Sequence, residues 1–241
     1  RGAVTVATVK ALNVFYDLEM DTLTQFKIAA LAHLAVQGNG SCGDIAASCY
    51  GGWIAFSTFD SQWVKEKQAQ WSLSTLLETD WPMLSIQPLE VPKNLRLVIG
   101  WTGSPASTSD LVDQVHQSKE VAESAYQTFL KDSRECVEEM IAGFTNKNIP
   151  VIKQMITKNR ALLNTLSSIT GVTIETPALK ELCDLAETCD GAAKSSGAGG
   201  GDCGIVIADK KTGILPLMTL WEKAEITPLP LHIYHYQGGQ K

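Results

Sequence analysis

Nothing in this sequence is long and apolar enough to span a bilayer. Its apolar runs break at polar residues well short of the ~20 residues a membrane helix needs. Positive charge is not in excess either: 20 Lys and Arg stand against 26 Asp and Glu, a formal net charge of -6. The cationic face by which general nucleic-acid binders displace counterions is therefore not expected. Cysteine is sparse and unpatterned. The six cysteines form no CxxC pair, and no Cys/His cluster has zinc spacing. Free, buried thiols in a reducing compartment are expected. The four histidines do not form a set, and no Ser/His/Asp arrangement suggests nucleophilic catalysis. The Walker pattern GxxxxGK[ST] is missing, so that nucleotide signature is absent. Arg1 leads into small residues, not into a positive region followed by leucines, so no secretory leader is expected and a cytoplasmic location is predicted.

What is present suits a folded chain. Hydrophobic residues make up 44% of the 241 and charged residues 19%, enough for one large domain or two modest ones. Apolar spacing predicts helices over 3–17, 22–37, 61–78, 110–117, 123–144, 149–168, 177–188 and 215–223. The first is apolar on most faces and is expected to be buried. Thr22 and Gln25 read as a capping box for the second. Strands are predicted over 53–56, 85–88, 95–101, 204–208 and 229–236. Strands and helices mix without regular βαβ alternation, so the expected class is α+β. The turn-prone Val91-Pro92-Lys93-Asn94 sets a boundary between 1–92 and 93–241.

Three segments invite chemistry. In Gly38-Asn39-Gly40-Ser41-Cys42-Gly43-Asp44, a glycine turn leads into a small-residue helix. Free amides at a helix start attract anions, and Asp44 in the first turn suits a general base or a metal contact. Simple capping by Asp44 is the competing reading. In Lys194-Ser195-Ser196-Gly197-Ala198-Gly199-Gly200-Gly201-Asp202, glycines let amides converge on phosphate oxygens while Lys194 adds a point charge. A flexible linker competes there. In Thr102-Gly103-Ser104-Pro105-Ala106-Ser107-Thr108-Ser109, hydroxyls meet a helix start, which makes a phosphate seat or an N-cap.

Taken in this order, the three segments resemble those of the GHMP kinases, the superfamily of galactokinase, homoserine kinase, mevalonate kinase and phosphomevalonate kinase. The similarity is greatest to the bacterial phosphomevalonate kinase branch and rests on residues 37–46, 100–108 and 194–202, the middle segment being the most specific. The resemblance implies a two-domain GHMP kinase-like fold, with 1–92 the remainder of the amino-terminal, ATP-binding domain and 93–241 the carboxy-terminal domain. It implies transfer of the ATP γ-phosphoryl group to (R)-5-phosphomevalonate, with Mg2+ accompanying ATP, in the mevalonate route to isoprenoids. On this reading Asp44 is catalytic. Ser41, Cys42, Gly43, Ser104, Ser107 and Thr108 hold the acceptor, and Gly2, Lys194, Gly197, Gly199 and Gly200 close on the ATP phosphates. The family's phosphate loop, Pro-x-x-x-Gly-Leu-Gly-Ser-Ser-Gly/Ala, is matched only at its end by Gly2-Ala3-Val4. Most of that loop, the adenine contacts and the magnesium-binding serine are therefore expected upstream of Arg1. The alternatives are a mevalonate kinase or diphosphomevalonate decarboxylase, or a non-catalytic binding fragment of this fold. A mevalonate kinase would not need the Ser107-Thr108 seat.

Overall fold

A computed structural model describes residues 1–38, 40–104, 115, 123–197 and 199–234. The chain forms two compact units that divide between Leu89 and Glu90, with Ile233 returning to the first unit. Among the described residues no helix is long and apolar enough to cross a membrane.

The first unit holds α1 (Gly2–Phe15), α2 (Thr22–Gln37), α3 (Gly43–Tyr50), β1 (Trp53–Ser57), α4 (Ser61–Gln70), α5 (Leu73–Glu78) and β2 (Ser85–Leu89). β1 and β2 pair antiparallel, Trp53 opposite Leu89 and Ser57 opposite Ser85. The core gathers Phe26, Ile45, Phe59, Val64, Leu76 and Trp81, with Phe59 and Trp81 edge to face at 4.7 Å between ring centroids. α1 buries only Gly2, Val6 and Val9, while Val4, Val14 and Phe15 are exposed, so its buried surface is one face and not most of it. Asp21, not Thr22, caps α2 by accepting from the Thr24 amide at 2.7 Å. Gln25 turns back to donate to the Met20 carbonyl. The predicted helix 61–78 is two helices. Asp60 caps the first and Ser72 the second, and the extended Trp71 between them breaks the run.

One charge is built into this core. Lys27 is 3% exposed; its ammonium donates to the carbonyls of Leu77 and Thr79 at 2.7 and 2.8 Å and lies over the Trp81 ring. It thereby satisfies acceptors left by the end of α5. Lys27→Met keeps the stem and strands both carbonyls. The expected loss is about 2–3 kcal/mol, read as a fall in Tm of roughly 4–12 °C at this size. An unchanged Tm would show that water replaces the ammonium at no cost.

The second unit holds β3 (Leu95–Trp101), α6 (Glu123–Thr145), α7 (Ile149–Thr170), α8 (Pro177–Thr188), β4 (Ala192–Ser195), β5 (Cys203–Asp209), α9 (Leu215–Lys223) and β6 (Thr227–Leu229). Its sheet runs β4-β5-β3-β6, every pairing antiparallel. α6 and α7 form a helical hairpin, and α7 and α8 both pack on β4 and β5. Gly100 and Gly204 face each other across the β3–β5 register. A Cβ on Gly100 would come within 2.9 Å of Leu182, so the glycine pair makes room for that side chain. Trp221 is fully buried and donates its indole N–H to the Leu182 carbonyl at 3.0 Å. Of the predicted strand 229–236, residues 235 and 236 lie outside the described residues; among the described ones the strand is Thr227–Leu229. Pro228 and Pro230 cannot donate to a ladder, and the extended pairing with β3 stops at Leu229. The strand β4 was not predicted. The expected helix 110–117 lies outside the described residues apart from Val115, which is helical.

Candidate active site

In the first unit, α2 stops at Gly38, whose left-handed φ of 76° lets its amide close on the Leu34 carbonyl at 2.8 Å. The chain is then held from three sides. Lys65 donates to the Gly38 carbonyl at 3.0 Å, Thr58 donates to the Ser41 carbonyl at 2.9 Å, and the His33 ring lies against Gly40. Cys42 takes a left-handed φ of 59° at the N-cap of α3, with its thiol buried. Burial, and then the Asp44 charge, push that thiol up to about 12, so it stays a neutral packing group and not a nucleophile. Ser41 is exposed, and its hydroxyl accepts a long hydrogen bond from the Gly43 amide at 3.4 Å.

Asp44 follows in the first turn of α3, exposed and capping nothing with its side chain. Among the described residues its carboxylate has no hydrogen-bond or ion-pair partner. It lies so close to Gly2 that a Cβ there would collide with the carboxylate. Two helix starts, α1 and α3, therefore meet at one carboxylate, and both present unsatisfied amides and positive dipole ends. Gly2, Ser41, Cys42, Gly43 and Asp44 thus come together in this unit. The missing side chain of Gly2 serves that approach, because it admits the carboxylate.

In the second unit, the end of β3 meets the glycine run. The Asp202 carbonyl accepts from both the amide and the hydroxyl of Thr102, each at 2.8 Å, and the Asp202 amide donates to the Ser104 carbonyl at 2.6 Å. Gly201, at φ 132°, passes Ser104 so closely that a Cβ would lie 3.0 Å from its carbonyl oxygen. The Gly200 amide donates to the Ile174 carbonyl at 2.7 Å, and a Cβ on Gly199 would collide with that same oxygen. The run is therefore an anchored loop. Among the described residues, the amides of Gly197 and Gly199 make no hydrogen bond. Lys194 stands in β4 and donates to the Ser195 carbonyl at 2.7 Å. Burial holds its pKa below the usual lysine range, and the Cys136 and Cys183 thiols lie close enough to act on it. Ser104, Gly199 and Gly200 come together here, with Gly197 preceding them. Ser107 and Thr108 lie outside the described residues.

The described residues contain no cluster of three or more His, Cys, Asp or Glu side chains suited to a metal ion. All six cysteines are free. Sequence reasoning missed Ile174, whose carbonyl receives Gly200. An isoleucine between two helices signals only core, and a main-chain oxygen leaves no signature.

The amino-terminal part of the chain, residues 2–52, matches the GHMP kinases N terminal domain, and residues 140–214 match the GHMP kinases C terminal family. A phosphomevalonate kinase from Streptomyces sp. (strain CL190) is 40% identical over 232 residues, covering 95% of this chain and 62% of that relative. A crystal structure of a protein from Listeria innocua superposes with a TM-score of 0.90 at 46% identity, over 95% of this chain and 64% of that one. The Streptococcus pneumoniae phosphomevalonate kinase in complex with phosphomevalonate and AMPPNP superposes with a TM-score of 0.86 at 31% identity, over 97% of this chain and 68% of that one. This chain thus spans somewhat under two thirds of the first two relatives.

Proposed function

We propose that this chain, which belongs to the GHMP kinase family, serves an ATP-dependent phosphotransferase that passes the γ-phosphoryl group of ATP to (R)-5-phosphomevalonate. The products are 5-diphosphomevalonate and ADP. The likeness to a kinase solved with phosphomevalonate and AMPPNP, over nearly the whole of this chain, carries the reading. The geometry of each unit supports it.

Phosphoryl transfer asks for positioning and charge neutralisation more than for covalent chemistry. The acceptor oxygen belongs to a phosphate already ionised near neutral pH, so a strong base is not required. Asp44 suits this lighter role, because a bare carboxylate at two helix starts orients the acceptor and any proton it still carries. Ser41 and the amides of Cys42 and Gly43 accompany it. Mg2+ binds chiefly through phosphate oxygens and keeps only one or two protein carboxylates, a demand that the single exposed Asp44 fits. When bound, that cation neutralises charge on the transferring group.

The uncommitted amides of Gly197 and Gly199 are the second unit's donors for the transferring phosphate. Gly200 takes part as a support, since its amide is engaged within the unit, and Lys194, which gives the Ser195 carbonyl one of an ammonium's three donors, adds a point charge. Ser104, Ser107 and Thr108 seat the phosphate already on the acceptor. A cytoplasmic location completes the reading. The test is ADP release by the protein as its gene encodes it, coupled to NADH oxidation. Turnover is expected with (R)-5-phosphomevalonate and not with mevalonate. Turnover with mevalonate alone would move the protein to another branch of the family.

A further inference from the structure

The glycine loop does not set its own shape. Gly199, Gly200 and Gly201 carry φ values of 86°, 78° and 132°, conformations with high entropy in a free chain. Two carbonyls hold them: Ser104 on one side and Ile174 on the other. Ile174 is itself fixed to an unusual degree for a connection between helices. Its amide donates to the Ser167 hydroxyl at 2.9 Å, that hydroxyl donates to the Val172 carbonyl, and the Val172 and Ile174 side chains are buried. The next residue, Glu175, is gripped by Arg160 through two bonds, Nε to Oε1 at 2.6 Å and the second guanidinium nitrogen to Oε2 at 3.2 Å. Asn164 adds a third at 3.3 Å. Both side chains of this pair are about nine-tenths buried, at 11% and 10% exposed. The same guanidinium also holds Asp184 and Glu187 of α8, each at 2.7 Å.

A buried ion pair is a weak way to gain stability, since an apolar pair of like volume often does as well. A bidentate arginine–carboxylate pair does fix direction. Here it fixes the peptide whose carbonyl points at the glycine loop. We propose that Arg160 and Glu175 are positioning residues for phosphoryl transfer: together they clamp Ile174 so that its carbonyl fixes Gly200 and leaves the Gly197 and Gly199 amides available to the transferring phosphate. This rests on the proposed role of the glycine loop as a holder of the transferring phosphate. Arg160 and Glu175 touch no substrate, and their effect passes through one main-chain hydrogen bond.

The arrangement contains its own control. Glu175 leads to the loop, whereas Glu187 is held by the same arginine and leads only to α8. In the protein as its gene encodes it, Glu175→Ala should lower kcat about tenfold or more, the scale of a sub-ångström to 1 Å misplacement. Hydrogen exchange of the peptide spanning 199–201 should accelerate with it. Glu187→Ala should lower Tm comparably and change neither kcat nor that exchange. Should Glu175→Ala fail to fold, Glu175→Gln, which keeps the side-chain shape, should show the same two effects in smaller measure. Unchanged kcat and unchanged exchange in the Glu175 variant would overturn the clamp. Equal loss of kcat in the Glu175 and Glu187 variants, tracking Tm, would overturn it as well, by reducing the cluster to stability alone. Gly199→Ala separates this from the reading beneath it. A crippled Gly199→Ala enzyme beside an unaffected Glu175→Ala enzyme removes the clamp and keeps the glycine loop's role. A fully active Gly199→Ala enzyme removes that role and the clamp with it.

Discussion

Asp44→Asn is expected to lower kcat by roughly 100-fold or more, the scale typical of a positioned acid–base group, while both KM values stay nearly constant. Asparagine keeps the volume and so keeps the close fit beside Gly2. It removes no cap, because the Asp44 side chain caps nothing and Cys42 occupies the cap position. The residue is exposed, so stability should change by no more than about 0.5 kcal/mol. What is lost is a negative charge at the meeting of two helix starts, and that charge matters most as the phosphoryl group moves. Steady-state kinetics against both substrates make the check. Near-normal kcat in the variant would reduce Asp44 to a favourable charge in the first turn of α3.

The larger effect is expected on KM. Replacing both Ser107 and Thr108 with alanine should raise KM for phosphomevalonate by about 10²- to 10⁴-fold, at ~1.5–3 kcal/mol for each hydrogen bond to a charged group. KM for ATP should stay nearly constant. These two residues lie outside the described part of the chain, so the expectation comes from the sequence and from the start of the same loop. That start is firmly placed: Thr102 and Ser104 are tied to Asp202 at the end of the glycine run. A lost cap would cost ~1 kcal/mol, so a small fall in Tm is expected beside the specific rise in KM. If both KM values rise together, the segment is structural and the phosphate seat is elsewhere.

The α+β class and most elements were legible because their signals are local. Gly38 ends α2 through a positive φ, and Thr176-Pro177 opens α8 with a cap and a fixed φ. The Leu95–Trp101 strand is bounded by turn residues and reads off its branched side chains. Where expectation failed, a neighbouring signal of equal strength was overlooked. Asp21 competes with Thr22 for the cap, and Asp60 and Ser72 each start a helix where one periodic run seemed enough. β4 is Ala-Ala-Lys-Ser, four residues with little strand propensity, and it exists because β5 and two helices bury it. The candidate residues of the motifs were legible as a resemblance and as glycine chemistry. Their division of labour was not. That Gly200 gives its amide to Ile174, and that Lys194 gives its ammonium to the Ser195 carbonyl, is a matter of folded geometry that no residue type announces.

The central claim is that a second phosphate is joined to one already on the acceptor, and phosphorus NMR of the reaction observes that bond directly. With ATP, Mg2+ and (R)-5-phosphomevalonate, the phosphomonoester resonance should disappear as two mutually coupled diphosphate resonances grow, distinct from those of ADP and matched to it one for one. Release of inorganic phosphate with the monoester untouched, or a new monoester formed from mevalonate, would contradict the account.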